Sequence, residues 1–294
     1  MSGVPSGRGE EQTIEGQERL TRERQLQAAR ERLHRLVDQY IQAEAEVRAL
    51  EEGAFRVVIF GSARIQPRDK VYQMVYRIAH ALAERGIDIV TGGGPGLMEA
   101  ANRGVLDLVE RESRSYGLPI DIPTLKEPAN KHLDIKSSHR RFSSRLDEFM
   151  RLSNAVIVAP GGIGTLLELT YVWQLLQVGV TNDRPVIMLG REIWGGLLKW
   201  MDDALLSHGY ISASDFRWIT LVDTAQEVIE LLTVAHERFM RSQMERSMEE
   251  NELDRSVTTG VLAIAPPTEL TEEGTGGTDY SLRARETGAE EDAG

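Results

Sequence analysis

The sequence predicts an α/β domain whose mostly parallel sheet is doubly wound, with helices on both faces and a helical extension in front. Three observations lead there. From Phe55 onward, short runs rich in Val and Ile recur without the polar alternation of a half-exposed sheet. Each run is followed by apolar residues at helical spacing, the pattern of strands buried on both faces of a parallel sheet. Three of the runs end in unusual small-residue or glycine loops, at the strand ends where an open parallel sheet gathers its ligands.

The elements follow in order. Residues 1–16, rich in Gly, Ser and Glu, read as a disordered N-terminus. Residues 17–52 form the helical extension. Within it Leu26, Ala29, Leu33, Leu36, Tyr40, Ala43, Val47 and Leu50 keep a seven-residue repeat, with Arg, Glu and Gln between them. Such a helix either lies against its own domain or pairs in a coiled coil. The α/β domain occupies 53–240. Its first strand is "FRVVIFG" (55–61), followed by a helix over 68–85 with Val71, Val75, Ile78 and Leu82 on one face. A strand then enters the glycine loop in "IDIVTGGGPG" (87–96), and "LMEAANRGVLDLVE" continues as helix. A strand over 115–120 and a charged helix over 138–152 come next. "NAVIVAPGG" is a strand running into a second glycine loop and a helix over 163–178. The strand 184–190, a helix from about Ile193 to Leu206, the strand 217–222 and a helix from Thr224 to Met240 complete a Rossmann-like order. Residues 241–294 read as an acidic, flexible tail, with "VTTGVLAIAPP" (257–267) as a short docking segment.

Composition narrows the function. The chain has 294 residues, 41% of them hydrophobic, enough for a sizeable core. It has no cysteine, which excludes disulfides, zinc–thiolate sites and cysteine nucleophiles. The net charge of −12 argues against nucleic acid as partner, since duplex binding needs Lys and Arg against phosphate. From Arg241 to Gly294 thirteen acids face five bases, so the tail carries most of the excess. No apolar run approaches the roughly 20 residues of a membrane span, and no signal pattern opens the chain. A cytoplasmic protein without membrane contact is expected. His80, His132, His208 and His236 keep no metal-ligand spacing, and no metal or other cofactor is expected.

The loops "FGSAR" (60–64), "TGGGPGLMEAANRG" (91–104) and "PGGIGTLLE" (160–168) each lead into a helix N-terminus, where unsatisfied N–H groups and the helix dipole favour an anion. Gly61, Gly92, Gly93, Gly94, Gly161, Gly162 and Gly164 would let backbone approach that anion, with hydroxyl donors from Ser62 and Thr165. The spacing is neither the dinucleotide G-x-G-x-x-G nor a P-loop. A nucleoside monophosphate therefore fits better than NAD or ATP.

"PGGIGTLLE" resembles the P-G-G-x-G-T-x-x-E signature of the LOG ("Lonely Guy") family, whose members are often mislabelled lysine decarboxylases. "GGGPGLM", ending at Met98, resembles its other glycine motif, and the similarity covers about 55–235. The resemblance implies a nucleotide 5′-monophosphate phosphoribohydrolase, releasing free base and ribose 5-phosphate from AMP or N6-modified AMP. It also implies a homodimer with active sites near the subunit interface, and catalytic roles for Arg145 and Glu168. The departures are "RRFSSRLDEFM" in place of Met-His-x-Arg-Lys, Leu167 before the glutamate, and Glu99 after Met98 where plant-type members have glycine. These resemble the broader bacterial nucleosidase-like branch. Lys70, Lys126, Lys131, Lys136 and Lys199 stand at none of the loops, which disfavours a Schiff-base decarboxylase.

N-glycosidic cleavage develops positive charge at the anomeric carbon, which a fixed carboxylate stabilises while activating water. Glu168 lies one turn into its helix and is expected to face the phosphate loop, with Arg145 touching substrate or orienting it. Glu99 is the candidate acid for the leaving base, or an ordinary acid at a helix start. His139, Arg140 and Arg141 either help bind phosphate or form a solvated basic face. The alternative from another class is a non-catalytic nucleotide or alarmone sensor, which would need neither Arg145 nor Glu168. A DNA-processing relative is disfavoured by the acidic balance.

Overall fold

The structure, a computed structural model, describes residues 8–51, 53–123 and 128–261. Among them, β1 (Arg56–Phe60), β2 (Asp88–Thr91), β3 (Ser115–Gly117), β4 (Ile135–Lys136), β5 (Ala155–Val158), β6 (Val186–Leu189) and β7 (Ile219–Val222) form one sheet. The strand order is β4-β3-β2-β1-β5-β6-β7 and every pairing is parallel. The chain therefore winds outward from β1 to β4, returns to the other side of β1 with β5, and winds outward again. The switch falls between β1 and β5, where Val57 pairs with Ala155 and Phe60 with Val158.

Period-2 alternation sends neighbouring strand residues to opposite faces. Val57 and Ile59 of β1, Ile89 of β2 and Ile157 of β5 meet α2 (Lys70–Ala83), α3 (Leu97–Leu106) and the start of α7 (Ala225–Val261). Val58, Phe60, Val156 and Val158 meet α4 (Phe142–Leu152), α5 (Ile163–Gln177) and α6 (Arg191–Trp200) on the other face. Each helix is shaped for its place. In α2 the buried residues Tyr72, Val75, Ile78, Ala79 and Leu82 fall at helical spacing. On the second face Phe60 and Phe149, both fully buried, meet edge to face with ring centroids 5.0 Å apart. Burying one such side chain contributes about 1.5–3 kcal/mol.

Several boundaries move. The strand expected over 115–120 ends at Gly117, because Pro119 has no N–H to donate. The two-residue β4 was not expected, and it extends the sheet at that edge. The helix expected over 138–152 begins at Phe142, since Arg141 is extended and His139 bridges Ile120. Helix α3 stops at Leu106 rather than near Glu110. The expected helix from Ile193 to Leu206 is α6 plus a π-helical turn, Met201–Leu206.

At the ends, α1 (Arg8–Glu51) starts ahead of Gln17. Its side chains over 20–43 are all exposed, which overturns the reading of a helix laid against its own domain. Helix α7 passes Met240 and runs to Val261. A second unit begins at Arg246, and its described part, 246–261, is helical. The rest of the expected tail, most of the proposed docking segment and residues 1–7 lie outside the described residues. No helix among the described residues is long and apolar enough to cross a membrane.

Candidate functional site

The loops after β1 and β5 meet at the switch. Ser62 N–H donates to Pro160 O at 3.0 Å, and Leu97 N–H, the first of α3, donates to Ser62 O at 3.0 Å. These two bonds join all three sequence-predicted loops into one rim. Ser62 Oγ is itself engaged, accepting from Arg64 N–H at 3.1 Å.

Arg145, at the end of the first turn of α4, reaches this rim. The side chain is buried, its guanidinium 5.2 Å from the Phe149 ring centroid. Its Nε donates to Leu118 O at 2.6 Å, Nη2 lies 3.5 Å from Gly92 O, and Nη1 stands 3.9 Å from Glu168 Oε1. Glu168 is one turn into α5, three residues past Thr165, so the two share a helix face. Its side chain is 14% exposed against 10% for Arg145, so this ion pair sits largely out of solvent.

The loop over 91–96 is packed on every side. Gly92, Gly93, Gly94 and Gly96 are all buried. Gly93 and Gly96 take φ of 72° and 71°, a region that side chains rarely enter. A Cβ on Gly92 would collide with Arg145 Nη2 and stand 2.7 Å from Met98 Sδ. On Gly96 it would stand 2.6 Å from the Ala63 carbonyl carbon. Behind the loop runs a polar network that sequence reasoning missed. Thr91 Oγ1 accepts from Gly93 N–H and donates to Asn102 Oδ1, at 2.9 and 2.7 Å. Asn102 Nδ2 donates to Ser115 Oγ and Tyr116 O, while Asn130 Nδ2 donates to Gly94 O and Asn102 Oδ1. The available signal was Asn102 itself, an amide on the apolar face that Leu97, Ala101 and Val105 define.

The loop over 160–164 is open. Gly162, Ile163 and Gly164 are exposed, and a Cβ on Gly162 or Gly164 would meet nothing within 4 Å. Gly161 differs, since a Cβ there would press on the buried Thr165 side chain, 2.6 Å from its Cβ. Helix α5 starts with no side-chain cap, and its first backbone bond back is Leu166 N–H to Gly162 O at 3.0 Å. The N–H groups ahead of Leu166 have no helical acceptor, as at any helix start.

The remaining predicted residues divide. Met98 lies over Gly92, within the rim. Gly61 is explained by packing, since a Cβ would stand 2.9 Å from Leu97 Cδ1. Glu99 faces His132, 3.8 Å away, a partner that the sequence did not suggest. Arg140 and Arg141 are exposed at the start of α4. His139 is half-buried, its Nε2 without a hydrogen-bond partner. Burial holds its pKa below the usual range; Glu148 opposes this and Arg145 adds to it. Burial likewise lowers His132, with Glu99 pulling the other way. On the outer side of α5, burial and a hydrogen bond to Asp147 push Tyr171 up to about 12.

Fold and site together define a doubly wound α/β protein with a guanidinium–carboxylate pair at the switch point. Residues 98–232 match the family described as "Possible lysine decarboxylase". The chain is 31% identical over 216 residues to a probable cytokinin riboside 5′-monophosphate phosphoribohydrolase of Oryza sativa subsp. japonica, covering 70% of this chain and 84% of that one. It is 27% identical over 178 residues to the pyrimidine/purine nucleotide 5′-monophosphate nucleosidase of Escherichia coli K12, covering 58% of this chain but only 38% of that one. Among solved structures, the molybdenum cofactor binding protein of Rippkaea orientalis is similar at a TM-score of 0.45 and 21% identity, over 63% of this chain and 98% of that one. The chain belongs to the LOG family.

Proposed function

We propose that this chain hydrolyses the N-glycosidic bond of a nucleoside 5′-monophosphate, AMP or a modified AMP, to free base and ribose 5-phosphate. The observation that carries the reading is the Arg145–Glu168 pair, 3.9 Å apart, beside the uncapped start of α5. In this reading Gly162, Gly164 and Thr165 hold the phosphate through backbone N–H groups. The ribose then lies toward Glu168. As the bond from the anomeric carbon to the base nitrogen breaks, the carboxylate stabilises the positive sugar and takes a proton from the attacking water. The water oxygen bonds to the anomeric carbon, and the base leaves with the bonding pair and gains a proton. Arg145 aims Glu168, as a charge-assisted partner does. The names of the two relatives above support the reaction class.

The reading includes a homodimer. Ile163, Leu167 and Val178 stand exposed on or just after α5, an apolar edge beside the site that a second copy would cover.

The test is base release from a panel of nucleoside monophosphates, followed by chromatography, with wild type and Glu168→Gln. The expected result is loss of turnover of about 100-fold or more in the variant, with nucleotide binding by calorimetry nearly unchanged, since the carboxylate acts only in the transition state. Wild-type turnover in Glu168→Gln overturns the mechanism. Tight nucleotide binding by wild type without any base release identifies the non-catalytic sensor instead.

A further inference from the structure

The α1 helix presents a surface that the function does not use. Over the described stretch Leu26, Leu33, Leu36 and Tyr40 are each more than half exposed, and with Ala29 and Ala43 they repeat at alternating steps of three and four. A solitary helix carrying such a seam has nothing to offset the cost of ordering it; most helical stability comes from packing an apolar face. With Leu26 at the first core position, the core pairs are Leu26 and Ala29, Leu33 and Leu36, Tyr40 and Ala43, and by sequence Val47 and Leu50.

We propose that α1 pairs with α1 of a second copy, antiparallel, about a two-fold axis beside residue 38. Two independent features select this partner and this direction. The first is volume. In a parallel pair each residue meets itself, giving thin Ala29–Ala29 and Ala43–Ala43 layers and a crowded Tyr40–Tyr40 layer. In the antiparallel pair Leu33 meets the partner's Ala43 and Leu36 meets the partner's Tyr40. The sequence extends the same register, with Ala29 against the partner's Val47 and Leu26 against the partner's Leu50. Every alanine then faces a larger residue, which is how core layers reach native density.

The second feature is charge. The flanking positions are basic early in the seam, at Arg30 and Arg32, and acidic late, at Glu44, Glu46 and Glu51. Antiparallel pairing sets Arg32 against the partner's Glu46 and Arg30 against the partner's Glu44. One like-charged pair, Glu23 with Glu51, falls at the seam's ends. Parallel pairing makes no opposite-charge pair along the flanks and sets Glu46 against the partner's Glu51. Flanking charges of this kind choose direction more than they add affinity.

The absence of native cysteine makes the test clean. Full-length chains carrying Leu33→Cys and Ala43→Cys are co-expressed with different tags and oxidised. The antiparallel register predicts a covalent Leu33→Cys/Ala43→Cys heterodimer, and no covalent dimer from Leu33→Cys alone. Cross-linking of Leu33→Cys to itself overturns the direction. In parallel, light scattering on full-length Leu33→Asp/Leu36→Asp is expected to give half the wild-type mass, a dimer closed at the α5 edge in place of two such dimers joined through α1, with the far-ultraviolet dichroism of the α/β domain and the base-release rate unchanged. An unchanged mass, or a monomeric wild type, overturns the pairing. Arg30→Glu/Arg32→Glu should also halve the mass, and adding Glu44→Arg/Glu46→Arg in the same chain should restore it; failure of that rescue removes the charge argument. The cross-link and the mass do not depend on the proposed hydrolysis.

Discussion

The glycine loops at 91–96 and 160–164 are alike in composition and opposite in surroundings. In the first, every glycine is buried, two sit at positive φ, and Arg145, Met98 and the backbone after β1 occupy the space where side chains would be. In the second, Gly162 and Gly164 face open space and the helix behind them starts uncapped. The first helix has already used its leading N–H, from Leu97 to Ser62 O. The leading N–H groups of α5 have no such backbone acceptor. The lesson is that glycine serves two purposes here. One loop uses it to pack a wall that holds Arg145 in place. The other uses it to leave room.

The largest expected effect separates the loops by function. If the room at Gly162 is for phosphate, the wild type should prefer AMP to adenosine by about one to four orders of magnitude in kcat/KM. That range follows from one or two hydrogen bonds to a charged group at roughly 1.5–3 kcal/mol each and about 1.4 kcal/mol per tenfold. Gly162→Val puts a branched side chain into that space and should erase the preference. Steady-state kinetics on both substrates with both proteins decide it. Comparable wild-type values for AMP and adenosine would reduce the second loop to a tight turn.

Next in size is the reverse experiment, on stability. Gly96→Ala must enter a left-handed conformation and push on the Ser62–Ala63 backbone, at a cost of about 2–4 kcal/mol. Gly162→Ala meets neither obstacle and should change stability by less than about 1 kcal/mol. Urea denaturation checks both, as a shift of midpoint at constant slope. Equal midpoints for the two variants would abolish the contrast between a packed and an open loop.

Much of this was legible in the sequence because it rests on local rules. Val/Ile runs followed by helical spacing gave five of the seven strands, the segment 115–120 gave a sixth, and the glycine motifs marked the right strand ends. Arg145 and Glu168 came from motif resemblance, and they do stand together. What was not legible depends on partners distant in the chain. β4 is two residues long, too short for any periodicity, and exists only because β3 offers its edge. The late start of α4 follows from the pairing of His139 with the 119–121 backbone. The buried status of Gly92 is set by Arg145, 53 positions away along the chain. The heptad in α1 was plain, but whether it faces its own domain is a tertiary fact. Only the exposure of Leu26 through Tyr40 decides it.

The smallest effect concerns pH and falls on the first loop alone. His132 lies on the segment that carries Asn130, whose amide holds Gly94 O, and the His139 N–H donates to Pro119 O beside the Arg145–Leu118 contact. Burial lowers the pKa of both imidazoles in the folded chain. The unfolded chain therefore takes up protons first as the medium is acidified, and stability falls as pH drops below the ordinary histidine range near 6.5. Among the described residues no histidine flanks the 160–164 loop, so the acid response should belong to the wall and not to the opening. His139→Gln removes one of the two groups and should flatten the fall in melting temperature between about pH 7 and pH 5. Protonating His139 would place a charged N–H at the unpartnered, buried Nε2 position, with Arg145 nearby and only Glu148 in opposition. If His139→Gln melts with the same pH slope as wild type, the buried imidazole contributes nothing to the acid response, and the 91–96 wall owes its acid sensitivity to carboxylates instead.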